Sequence, residues 1–147
     1  MLGITNGQNG TPREYTSVDR VIVLGFYDGA TGGLLQFEEN GSEYQFDLDP
    51  EYGEPGLTTT GRSFILRPLP ANAIQRVITA ITPFETPRWP VWFVRWHELS
   101  ESSRENLSAV IDAIEADAGP AIWQMSTADP WSFSKFAIHP IVEPQTI

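Results

Sequence analysis

Residues 21–49 read VIVLGFYDGATGGLLQFEENGSEYQFDLD, and the fold turns on how this stretch divides. Val21 to Tyr27 carries apolar side chains on both faces, the pattern of a strand covered on both sides. Asp28 to Gly33 is turn chemistry, rich in glycines that tolerate positive φ. Leu34 to Glu38 returns as a second strand, and Asn40-Gly41 is a strong hairpin signal. In the third strand Tyr44, Phe46 and Leu48 alternate with Glu43, Gln45, Asp47 and Asp49, which predicts one packed face and one solvated face. The stretch therefore reads as a three-stranded antiparallel meander.

Before it, residues 1–18 are rich in Gly, Asn, Thr and Ser and read as a flexible arm. After it, 50–61 is a loop and Ser63–Leu69 a fourth strand. A helix over 71–82 follows, with Ile74, Val77, Ile78 and Ile81 on one stripe, Asn72 as N-cap and Pro83 as stop. Val91–Trp96 is a fifth strand. A second helix opens on a capping box, Ser102 to Glu105, runs its stripe through Leu107, Val110, Ile111 and Ile114, and closes at Gly119-Pro120. Ile78 and Ile111 sit mid-stripe as core residues. Ile122–Met125 and Phe133–Ile138 complete the strands. The expected fold class is α+β, a mainly antiparallel sheet in the order β-β-β-β-α-β-α-β-β with two amphipathic helices on one face. It forms a single globular domain over 19–140, followed by a tail, 141–147.

Composition narrows function by exclusion. The chain has 147 residues and 41% hydrophobic content, enough for a packed core without staples. It lacks cysteine, which excludes disulfides, thiol nucleophiles and sulfur-ligated metal sites. Net charge is -10, from 19 acidic against 9 basic residues. Such a chain repels nucleic-acid phosphates and anionic membranes and admits a basic protein partner. With neither a leader pattern nor a long apolar run, the expected location is cytoplasmic.

No motif carries chemistry alone. The loop Asp28–Gly33 opens into a strand rather than the helix a phosphate loop requires, so it reads as a hairpin connection. Asp47, Asp49, Glu51 and Glu54 form the densest acidic group but lack an EF-hand's glycine and terminal glutamate. They read as a solvated face, with no metal and no cofactor. His97 and Glu98 are the nearest approach to a base and its orienter, although strand neighbours point to opposite faces. His139 is a weaker candidate, and Asp28 completes the catalytic set. Trp92 and Trp96 share a face with Val94 and belong to the core, whereas Trp89 and Trp131 lie in proline-bearing loops and suit a contact surface.

The runs VIVLGFYDGATGGLLQF, YQFDL, SFILRPLP and WPVWFVRWHEL, within 21–99, resemble a group of small uncharacterised bacterial proteins with a YDG-type opening hairpin and a tryptophan-rich strand. That resemblance implies a fold and no site residues. The functional expectation is a small acidic cytoplasmic protein-binding or regulatory module. In the manner of an immunity protein it meets a basic partner through Glu43, Asp47, Asp49, Glu51, Glu54, Trp89 and Trp131. The alternative is a hydrolase-like enzyme using His97 with a nearby carboxylate.

Overall fold

A computed structural model describes residues 13–15, 18–27, 29–38, 41–49, 62–82, 86–127, 129, 131–133 and 136–141. Its strands are β1 (Arg13–Tyr15), β2 (Val18–Phe26), β3 (Ala30–Phe37), β4 (Glu43–Leu48), β5 (Arg62–Pro68), β6 (Val91–Phe93), β7 (Trp123–Thr127) and β8 (Phe136–Pro140). They form one eight-stranded sheet in the order β1-β8-β7-β5-β4-β3-β2-β6. Neighbours are antiparallel except β2 and β6, which run parallel. With helices α1 (Ala73–Ile81) and α2 (Glu101–Ala116) the protein is α+β. None of its described helices is long and apolar enough to cross a membrane.

The double-sided pattern of 21–24 has a physical source. Val21 and Val23 enter one core with Leu35, Phe37, Tyr44, Phe46, Phe64 and Leu66. Ile22 enters a second core, with Leu34, Trp92 and the stripes of both helices. The sheet thus has a concave face filled by its own aromatic residues and a second face covered by α1 and α2. Curvature is forced by distance. In the sheet β4, β5 and β7 lie between β3 and β8, so a flat sheet would hold those strands about 19 Å apart. Yet the rings of Phe37 and Phe136 are 5.7 Å apart. Phe133 sits against Phe46 and Phe64, at 5.5 and 6.1 Å, and fills the hollow that the curl creates.

Several boundaries differ from the sequence reading. Arg13–Tyr15, assigned to an arm, pair with Phe136–Ile138; backbone pairing holds them, which hydrophobic periodicity does not report. Val18 is already buried in β2. The Tyr27 amide donates to the Gly29 carbonyl just ahead of Ala30. Strand β3 starts at Ala30, and Gly32 and Gly33 lie within it. A Cβ at Gly33 would stand 2.0 Å from the Ile22 carbonyl oxygen, so glycine answers a close strand approach there and not a turn.

The fifth predicted strand ends at Phe93, and Trp96–Glu98 form a 3-10 turn. The ladder between β2 and β3 skips Leu24, and the Trp96 indole N–H donates to that residue's carbonyl at 2.6 Å. The cap of α2 is Ser100, whose Oγ accepts from the Ser103 amide, instead of Ser102. Asn72, the expected cap of α1, takes φ 67° and makes no side-chain cap bond.

Candidate functional site

The polar row of β4 is where the structure departs furthest from the sequence reading. Tyr44, Phe46 and Leu48 do face the concave core, so the alternation is as the pattern requires. The opposite face lies beside the two helices and not in open solvent; Glu43, Gln45, Asp47 and Asp49 are all half-buried. Glu43 caps α1 from across the fold. Its Oε1 accepts from the Ile74 amide at 2.7 Å and its Oε2 from the Asn72 amide at 3.2 Å. A carboxylate at a helix N-terminus satisfies orphan donors and complements the dipole, so Glu43 is a structural residue and not a free contact point. Asp49 accepts from Gln124 Nε2 at 2.7 Å.

Asp47 and Gln45 face a cleft of about 300 Å³ between the sheet and α2. Gly32 and Gly33 form part of its floor, Trp96 and Ile111 are apolar walls, and Asp112 and Glu115 descend from the helix. Gly32 matters for shape, since a Cβ there would come within 3.1 Å of Asp47 Oδ1. Gln45 Nε2 donates to Glu115 Oε2 at 2.8 Å, tying strand to helix. Burial raises the Asp47 carboxyl above its ordinary range, partly opposed by the Arg67 guanidinium. Burial also raises Glu115, and the charges of Asp47 and Asp112 push it further. The cleft is therefore a place where negative charge is desolvated and repels itself.

Asp112 and Glu115 escaped the sequence reading, although a signal existed. Ser108, Asp112 and Glu115 fall at i, i+4 and i+7 beside the apolar stripe, and all three line the cleft. The outer surface of α2 extends the acidic character through exposed Glu101 and Glu105, with Asp117 at its C-cap. Glu115 and Asp117 lie at the helix's negative end, where the last turn holds no basic residue and the dipole disfavours them. Arg104, the single base on α2, donates instead to the Leu99 carbonyl at 2.7 Å.

The remaining predicted residues are scattered. His97 Nε2 lies 3.6 Å from Glu98 Oε2 because the 3-10 turn brings neighbours together, which a strand would not. Both are open to water, with side chains 75% and 56% exposed. Trp89 is exposed against Trp92 on the helix side, with the Arg20 guanidinium 5.7 Å from its ring. Trp131 stacks on Phe93 at 5.4 Å near the concave face, its amide and that of Ser132 held by Asp129 Oδ1. The structure does not bring the two tryptophans together. Asp28, Glu51 and Glu54 lie outside the described residues, as does the side chain of His139. Among the described residues no group of three or more His, Asp or Glu side chains is placed to hold a metal ion.

Comparison with protein-family models, curated proteins and solved structures returns no match to this chain.

Proposed function

We propose that this protein is a small acidic binding module of the cytoplasm whose partner is a basic protein, engaged in the manner of an immunity protein. The observation supporting this reading is the acidity of α2, whose last turn holds no base, and of the cleft beside it, where Arg67 only partly offsets Asp47. Glu101, Glu105, Asp112, Glu115 and Asp117 are exposed, and among the described residues no ion pair involves them. Stability alone disfavours acids at a helix C-terminus and carboxylates raised by burial and by neighbouring acids, as Glu115 is. A cationic surface laid on α2 would relieve both penalties and would be drawn there by long-range attraction. In this reading the contact surface centres on α2, and Asp47, which lines the cleft beside that helix, belongs to it.

The test is capture of partners on the tagged wild-type chain and on a Glu105→Gln, Asp112→Asn, Glu115→Gln variant, with partners identified and on-rates measured across salt. A basic protein held by the wild type, lost from the variant and slowed steeply by salt supports the reading. A partner that binds both chains alike, or ignores salt, overturns it.

A further inference from the structure

Two of the chain's nine basic residues lie beside the edge of the sheet. Arg88 and Arg95 flank β6 and line, with Thr86, Glu98, Val91 and Phe93, a groove of about 520 Å³ along that strand. Strand β6 is the last in the sheet, so one of its edges has no neighbour among the described strands. The ladder fixes which backbone groups face that edge. The Val21 amide donates to the Pro90 carbonyl at 2.7 Å, and the Val94 amide to the Val23 carbonyl at 3.0 Å. Residues 90, 92 and 94 therefore turn towards β2, and the N–H and C=O groups of Val91 and Phe93 point outward into the groove. Exposed strand edges of this kind are templates for another strand.

We infer that the open edge of β6 receives an extended acidic segment of a partner protein by strand addition. The Val91 and Phe93 amides and carbonyls supply main-chain pairing, and the flanking guanidiniums select the sign of charge. Arg88 is exposed and has no ion pair among the described residues. Among the described residues Arg95 is ion-paired with Glu98 alone, at 3.5 Å and with both side chains more than half exposed, a pair weak enough for an incoming carboxylate to displace. Aliphatic residues at alternate positions of the segment would continue, across the open edge, the row that Val91 and Phe93 form with Val21 and Val23 of β2. The site is separate from α2 and opposite to it in charge, so it stands or falls independently of the function proposed above.

The probe is a short, terminally blocked, fluorescent peptide alternating valine and glutamate, with a valine-lysine counterpart and a glutamate peptide interrupted by prolines as controls. Anisotropy should show binding of the first peptide only, with NMR shifts concentrated at the Val91 and Phe93 amides. Arg88→Glu, folded by circular dichroism, should weaken it by about fivefold, as the loss of one exposed ion pair allows. Binding of the lysine peptide, equal binding of the proline-interrupted peptide, or indifference to Arg88→Glu and Arg95→Glu alike would overturn the assignment. So would a dimer paired through β6 without any peptide, seen by sedimentation.

Discussion

Single side chains on β4 carry roles that their alternation conceals. Glu43 occupies a position that the pattern calls solvated, and it closes the N-terminus of a helix that follows it by thirty residues; no local motif reports a cap of that span. Removing it in Glu43→Ala should lower stability by about 1 kcal/mol, typical of a lost cap, seen as a lower urea midpoint with unchanged slope. Asp47, two positions on, behaves oppositely. Its carboxyl, like that of Glu115, is raised by burial, so the folded state holds protons to higher pH than the unfolded chain. The resulting stability is fully present below the ordinary carboxylate range, near pH ~4, and is lost as pH rises through the raised values. Asp47→Asn should therefore be neutral or stabilising at pH 7, by no more than about 1 kcal/mol given its partial exposure, with the difference closing in acid. Paired urea titrations at the two pH values check it, and a destabilised Asp47→Asn at neutral pH would contradict the electrostatic account. The charge of this row was legible in the sequence. Which of its members meet a helix was not, because that depends on where α1 and α2 land.

Among elements, the most legible were those whose period reports burial directly. The α1 stripe places Ala73, Ile74, Val77 and Ile81 in the core, while Ile78 at its margin is only half-buried. Ile74→Ala should thus cost about 2–5 kcal/mol and Ile78→Ala distinctly less, a reversal of the expectation that Ile78 is central. Thermal melts of the two variants separate the cases. Ile111, at 8% exposure, remains a core residue of α2 as its stripe predicts. Elements fixed by hydrogen bonding were less legible. Strand β1 has three residues and no apolar signal, and the break after Phe93 depends on a ladder irregularity at Leu24 that Trp96 then completes. The glycines of β3 were visible but misread, since turn and close approach select the same residue. Gly33→Ala tests the second meaning. A Cβ forced to within 2.0 Å of the Ile22 carbonyl must part β2 from β3, at about 2–3 kcal/mol, seen as a lowered Tm.

At the scale of the whole molecule the sheet had to find cover for two faces with only two helices, and it covered the second face with itself. The doubly apolar run 21–27 announces two buried faces for β2, but nothing in a period-two pattern says whether a second layer or curvature buries the other side. Curvature wins here because the concave residues are large: Phe37, Phe46 and Phe64 reach inward and leave a hollow that one more ring can fill. That ring is Phe133, which is 1% exposed and takes φ 53°, a conformation that bulky side chains avoid. The backbone strain is held by burial against Phe46 and Phe64, so residue 133 is positioned by the core and not by its own preferences. Phe133→Ala should then do two things together. It should cost about 3–5 kcal/mol through the lost ring and the cavity. It should also loosen the 131–133 segment, freeing the half-exposed Trp131 indole from its stack on Phe93. Denaturation gives the first and acrylamide quenching of tryptophan fluorescence the second. A variant that loses stability without gaining quenching would mean that Asp129 alone seats the loop through its bonds to the Trp131 and Ser132 amides, and that the curl needs no plug.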